Sequence, residues 1–580
     1  MSVSGKTFDT KILRRLMSYA KPYQKPFLIS GLLILVLSYL GVLRADMIGN
    51  TIDESVNSGD SNLLLNMTIL LVVLLVVEAI LQYFQTWLAN KVAQSVTIDL
   101  RKKLFAHVLR FKMTWFNNTP IGTTVTRVTS DIDTVADVFS EGMLTIIGDI
   151  LKLIFVIIWM FVLNWKLTLL TLIPIPLLLI ATRIFQKSIK KSFQSVRVQV
   201  AQLNAFVQEH VTGMHIVQLF GMEDTEMKKF KDINQKHNKA HIDSVMAYSI
   251  FFPVVEILAA LSIAILVWYG AHESLEGNIN FGETVEFLLL INMLYRPIRM
   301  LADRFNILQM GMVGAERVFN LLDSENHIED AGTLAPKKLE GNIKFRDVHF
   351  AYKDENFVLK GVSFDVKKGE KIAFVGSTGA GKSTIVNVLT RLYEYQKGEI
   401  LIDGADLRSY KQENLHQHIG VVSQDIFLFS DTVFNNITLR DPSISLEKVI
   451  EAAKQVGAHD FISKLPGSYQ FEVSERGNSL SLGQRQLISF IRAYVYNPEI
   501  LILDEATSSV DTESELMIQK AIEKITENRT SIIIAHRLST IRKADKIMVM
   551  DHGSIVESGS HDELVLKNGY YKRLFDLQFK

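Results

Sequence analysis

Residues 371–384 read Lys-Ile-Ala-Phe-Val-Gly-Ser-Thr-Gly-Ala-Gly-Lys-Ser-Thr. The apolar run Ile372 to Val375 has the length of a buried strand and enters a glycine-rich turn at once. Ile385, Val386, Val388 and Leu389 then recur at helical spacing, so a helix is expected to start near Gly381. The eight residues Gly376, Ser377, Thr378, Gly379, Ala380, Gly381, Lys382 and Ser383 fit the pattern G-x-x-x-x-G-K-[ST], followed by Thr384. Glycines let successive backbone N–H groups turn inward on a polyanion, and a helix N-terminus adds partial positive charge. Lys382 would reach the β- and γ-phosphates of a nucleotide, and the Ser383 hydroxyl would ligate Mg²⁺. A chance glycine-rich turn would not need a strand before it and a helix after it.

Around this loop, β-rich runs at 343–349, 371–375, 420–423, 500–503, 531–534 and 546–550 alternate with helical patterns. That alternation is the sign of an α/β domain with a largely parallel sheet. Ile500 to Leu503 reads as a buried strand ending in Asp504 and Glu505. One carboxylate there can hold Mg²⁺ through its hydration shell and the other can polarise an attacking water. Upstream, residues 323–341 break into charged and turn residues. The expected division is a membrane domain over 1–322, a linker over 323–340 and a nucleotide-binding domain over 341–580.

The chain has 580 residues, too many for one ordinary core. Its formal net charge is zero, which gives no argument for nucleic-acid binding. Hydrophobic residues make up 48% and the mean hydropathy is +0.18. With no cysteine, disulfides, thiolate metal sites and a cysteine nucleophile are excluded. The basic N-terminus lacks the apolar core and cleavage site of a signal peptide and reads as an amphipathic cytoplasmic lead-in.

The hydrophobic excess is concentrated in six stretches near 27–48, 63–88, 139–163, 165–186, 246–271 and 281–305. Each is long enough to cross a hydrocarbon layer of roughly 30 Å. The short loops 49–62 and 272–280 carry Asp53, Glu54, Asp60, Glu273 and Glu276 but no Lys or Arg. The long connections 91–138 and 187–244 are basic, so they and both termini are expected on the cytoplasmic side. These connections keep helical periodicity, which predicts helices that continue well beyond the membrane. Arg44, Asp46, Glu78, Glu256, Glu286, Arg296 and Arg299 fall at membrane depth. Pairing inside the bundle or placement near interfaces is the favoured reading, with a substrate or proton path through Glu78, Glu256 and Glu286 as the alternative. Trp87, Trp159, Trp165 and Trp268 lie near span ends or turns and read as an aromatic belt.

Taken together, the motifs resemble those of the ATP-binding cassette (ABC) transporters, specifically exporter half-transporters with six spans ahead of one nucleotide-binding domain. The resemblance covers nearly the whole chain. Residues 480–486, Leu-Ser-Leu-Gly-Gln-Arg-Gln, are similar to the signature LSGGQ except at Leu482. Tyr352 matches the aromatic that stacks on adenine, and Gln424 the loop glutamine that touches Mg²⁺ and the attacking water. Asp511, in Ser509-Val-Asp511, resembles the loop that crosses to the partner, and His536 the switch histidine on the γ-phosphate. Glu472 to Gly477 is similar to a loop that contacts the cytoplasmic helices. Phe116, Gly122, Arg127 and Asp131 fit the first coupling segment, and Glu209, Gly213 and Phe220 the second.

The resemblance implies an N-terminal all-α transmembrane domain and a C-terminal α/β P-loop NTPase domain. It implies ATP and Mg²⁺ as cofactors, with Ser383, Gln424 and Asp504 on the metal and Glu505 as general base beside His536. Two cassettes would meet head to tail, so that Ser481, Leu482, Gly483 and Gln484 of one chain face the ATP of the other. Leu482 departs from the family glycine; it keeps its N–H but loses easy access to φ > 0. Whether the second half-transporter is a copy or a different chain stays open. The implied function is ATP-driven export or flipping of amphipathic molecules or lipids across a bacterial inner membrane. An importer on the same fold, or a gated channel or regulatory ATPase, are the alternatives. A cysteine-peptidase exporter is disfavoured by the absence of cysteine.

Overall fold

The structure is a computed structural model that describes residues 10–276, 279–327, 330–353, 355–504, 512–535 and 538–579. It forms two compact units, Met1–Leu109 with Ile121–Glu325, and Arg110–Pro120 with Asn326–Lys580.

The first unit is helical. Long apolar runs give the helices Gln24–Ser58, Ser61–Val108, Leu144–Leu163, Ile175–Thr212, Glu223–Leu275 and Phe281–Leu322, the last two continuing through Pro253 and Pro297. Among the described residues, five stretches are long and apolar enough to cross a membrane, within 21–54, 61–108, 121–163, 165–212 and 223–275. The sixth expected span lies in Phe281–Leu322 and is not among the five. Glu283, Glu286, Arg296, Arg299, Asp303 and Arg304 dilute its hydropathy. Glu223–Leu275 has 53 residues. At 1.5 Å per residue it is about 80 Å long, more than twice the hydrocarbon thickness. The same physics shows in Ser61–Val108, whose most apolar window is wholly unburied. Its later positions Ala89, Val92, Ala93, Val96, Leu100 and Leu104 are buried at helical spacing.

Several of the ionisable groups at membrane depth have partners. Arg44 pairs with Glu78 at 3.6 Å and Arg299 with Glu256 at 3.0 Å. Glu286, only 2% exposed, accepts a hydrogen bond of 2.8 Å from the Trp159 indole instead of an arginine. Trp159 therefore does not belong to an interfacial belt, because its N–H is committed to a buried carboxylate.

Among the described residues, the second unit holds ten strands: β1 Ile343–Phe350, β2 Leu359–Val366, β3 Lys371–Gly376, β4 Lys397–Ile402, β5 Ala405–Asp406, β6 Ile419–Val422, β7 Ile500–Asp504, β8 Thr530–Ile534, β9 Lys546–Asp551 and β10 Ser554–Gly559. One sheet has the order β2-β1-β4-β5 and is antiparallel. The larger has the order β10-β9-β3-β8-β7-β6, and all its pairs but β9 with β10 are parallel. Its strands bury both faces. Ala373, Val375, Leu501, Leu503, Ile533 and Val549 point to one core, and Ile372, Phe374, Ile500, Ile502, Ile532 and Met548 to the other. That is why these strands read as unbroken apolar runs rather than alternating ones.

The short helix Met113–Asn118 belongs to this second unit. The Lys112 N–H donates to the Asn326 carbonyl at 2.6 Å, and the Phe111 ring packs edge-on to Trp115 at 4.8 Å. The Asn117 amide donates to the Tyr393 hydroxyl.

Candidate nucleotide site

Parallel strands end together, so residues at their carboxyl ends share one edge of the sheet. Phe374 of β3 and Asp504 of β7 are both in register with Ile534 of β8, the strand between them. The loop after β3 and the carboxylate at the end of β7 thus flank one position.

The loop can take its shape because Gly379 and Gly381 adopt φ of 82° and 102°. A Cβ on Gly381 would also come within 3.0 Å of the Leu359 side chain. Gly381 caps the helix Lys382–Leu389, which starts where the periodicity places it. Lys382 is buried, and its ammonium donates to the carbonyls of Gly376 at 2.8 Å and Ser377 at 3.0 Å. Desolvation pushes its pKa down, and the Asp504 carboxylate opposes that shift. The Ser383 hydroxyl donates to Asp504 at 3.4 Å, so two hard oxygen donors of the expected metal set are neighbours.

Tyr352 is 40% exposed beside this loop. Its hydroxyl donates to Thr384 at 3.3 Å and accepts from the Asn387 amide at 2.9 Å. Its ring stands edge-on to Phe350 at 4.8 Å and to Tyr393 at 5.0 Å. Gln396 clamps the preceding residue: its amide donates to the Ala351 carbonyl and its oxygen accepts from the Ala351 N–H, both at 2.9 Å. Asn387, Tyr393 and Gln396 were invisible as site residues because each is a common type at an unremarkable spacing. Only the fold brings them to Tyr352.

Gln424 lies exposed on a bend after β6. The signature residues form a helix start. Ser481 caps Leu482–Val495, its hydroxyl accepting from the Gln484 N–H at 3.2 Å while the Gln484 side chain accepts from the Ser481 N–H at 3.0 Å. Leu482 is the first helical residue and is not among the positive-φ positions, so the lost freedom of glycine has no consequence here. Among the described residues, no hydrogen bond or ion pair joins 376–384 to 481–484. The expected base Glu505, the loop residue Asp511 and the switch residue His536 lie outside the described residues.

Residues 27–298 match the family profile described as the ABC transporter transmembrane region, and residues 359–508 that described as ABC transporter. The chain is 37% identical over 577 residues to the uncharacterized ABC transporter ATP-binding protein YknV of Bacillus subtilis (strain 168), covering 99% of this chain and 96% of the relative. It is 34% identical to the ATP-dependent lipid A-core flippase of Syntrophus aciditrophicus (strain SB), covering 98% and 95%. It is 37% identical to the probable multidrug resistance ABC transporter ATP-binding/permease protein YheH of Bacillus subtilis (strain 168), covering 87% of this chain and 75% of the relative. Helices long enough to cross a membrane, a phosphate loop set against a strand-end carboxylate and full-length similarity all agree: the chain belongs to the ABC transporter family, with a membrane region and an ATP-hydrolysing domain in one polypeptide.

Proposed function

We propose that the chain exports or flips amphipathic small molecules or lipids, driven by ATP, as one half of a dimer in a bacterial inner membrane with its nucleotide-binding domain in the cytoplasm. The relatives named as a lipid A-core flippase and a multidrug resistance transporter support this class of substrate. The observation that carries the reading is the alignment of the Gly376–Ser383 loop and Asp504 on one sheet edge, with Ser383 and Asp504 in contact. Lys382 would exchange its two carbonyl partners for phosphate oxygens. Ser383, Asp504 and Gln424 offer the hard oxygens that Mg²⁺ prefers, and the ion would offset charge on the β- and γ-phosphates. Tyr352 would stack on the base. Glu505 would take the proton of the attacking water, oriented with His536.

The signature helix would close the site from a second chain. Its first-turn N–H groups and dipole suit a γ-phosphate, and within one chain nothing described links it to the loop. ATP would then hold two cassettes together, and hydrolysis would release them. Glu505→Gln tests the assignment: ATP binding should persist while turnover in membranes falls by about 100-fold or more. Turnover near wild type would remove Glu505 from its role. Efflux into inverted vesicles tests direction, and nucleotide-stimulated uptake into right-side-out vesicles would favour the importer reading.

A further inference from the structure

The helices Ile175–Thr212 and Phe281–Leu322 line most of an open cavity of about 570 Å³ in the first unit. Each contributes one face at helical spacing: Gln186, Ile189, Lys190, Phe193, Gln194 and Arg197 from the first, and Asn306, Gln309, Met310, Val313, Gly314 and Arg317 from the second. The lining changes character along its length. Phe185, Tyr248 and Asp303 sit at the expected cytoplasmic ends of three spans, whereas Lys190, Arg197 and Arg317 lie beyond them. Phe193, Met310 and Val313 continue the apolar wall.

The charges differ in commitment. Arg317 is taken by Asp131 at 3.3 Å, and Asp303 accepts from the Tyr248 hydroxyl at 3.0 Å. Lys190 and Arg197 have no carboxylate partner among the described residues. The Arg197 guanidinium instead abuts the Met310 thioether, a weak acceptor. A cavity with an apolar wall at the membrane boundary and two uncommitted cations on its cytoplasmic side fits an anionic head carrying an apolar tail. Basic pockets between membrane helices on this side take phosphate head groups for the same reason.

We infer that this cavity binds an anionic amphiphile, with Lys190 and Arg197 on its head group and Phe185 and Tyr248 on its tail. This rests on the export or flipping reading and narrows its substrate class. A phosphate-headed bilayer lipid and a soluble alkyl phosphate share that chemistry. The test uses the full-length chain without nucleotide. Native mass spectrometry from mixed nanodiscs should show phosphatidylglycerol retained about fivefold or more over phosphatidylcholine. The double variant Lys190→Gln, Arg197→Gln should erase the preference, and Lys190→Arg, Arg197→Lys should keep it. Displacement of the retained lipid by dodecyl phosphate supports a soluble source, and failure of displacement supports the bilayer lipid. Equal retention of the two lipids by the wild-type chain, or a preference surviving in the Gln variant, overturns the inference. Because this readout needs no ATP, it fails independently of the transport reading, which loss of ATP-dependent efflux in the wild-type chain would overturn.

Discussion

At the scale of single residues, Lys382 shows how burial and function are reconciled. A buried ammonium needs acceptors, and the carbonyls of Gly376 and Ser377 supply them. Lys382→Ala removes the ammonium that would exchange onto the phosphates, so nucleotide affinity should fall about 10-fold or more, read by fluorescent ATP titration of the purified chain. Retained affinity would show that the loop N–H groups suffice. Leu482 is the converse case. The family pattern has glycine there, which suggests a strained turn, but the residue opens a helix in which leucine is the better former. Leu482→Gly should therefore cost about 0.5–1 kcal/mol in urea denaturation rather than relieve strain. A gain in stability would contradict this.

Elements carry the next set of consequences. The helix Leu482–Val495 starts at a capping box between Ser481 and Gln484, which fixes where its free N–H groups point. Ser481→Ala should cost about 1 kcal/mol and fray the turn that would meet the partner's nucleotide. The measurement is thermal unfolding alongside ATPase; unchanged values in both would place the cap elsewhere. Near the Gln424 bend, Asp431 starts the turn into the helix Val433–Thr438. The Asn435 amide, Arg440 and the Thr432 N–H hold its carboxyl down to about 2. In the unfolded chain the same group titrates near about 4. The native state is therefore favoured by this carboxylate above about pH 4 and loses that advantage as pH falls toward 2. The stability gap between wild type and Asp431→Asn at pH 7 should shrink across that window in thermal melts. A constant gap would show that these partners hold the protonated acid equally well.

At the scale of the molecule, the proposed two-chain site would make one chain's nucleotide site half of what hydrolysis needs, and among the described residues no hydrogen bond or ion pair joins the loop to the signature helix. ATPase of this chain expressed alone in membranes decides the partner: robust turnover means a second copy, and turnover only with a second subunit means a heterodimer. The charged positions among the spans show where sequence reading reaches its limit. Pairing of Glu78 and Glu256 with arginines follows from the cost of a lone charge in lipid. The choice of Trp159 for Glu286 does not, because it depends on which helix faces meet. The five apolar helices were legible as long hydrophobic runs. In 281–305 six charges weaken the same signal.

What the amino-acid order determined by itself is what depends on neighbours in the chain. Strand, turn and helix around 371–389, the capping signal at Ser481 and the apolar lengths of the spans are all local patterns, set by backbone freedom and burial periodicity. What only the tertiary structure decided is which distant residues share a place. The order β3-β8-β7 brings Ser383 to Asp504 across a separation of 121 residues. The same kind of juxtaposition sets Tyr393 against Tyr352 and, among the described residues, leaves Lys190 and Arg197 without a carboxylate partner in a cavity whose Asp131 and Asp303 are engaged. Such pairings follow from strand order and helix facing, which no short window of sequence encodes.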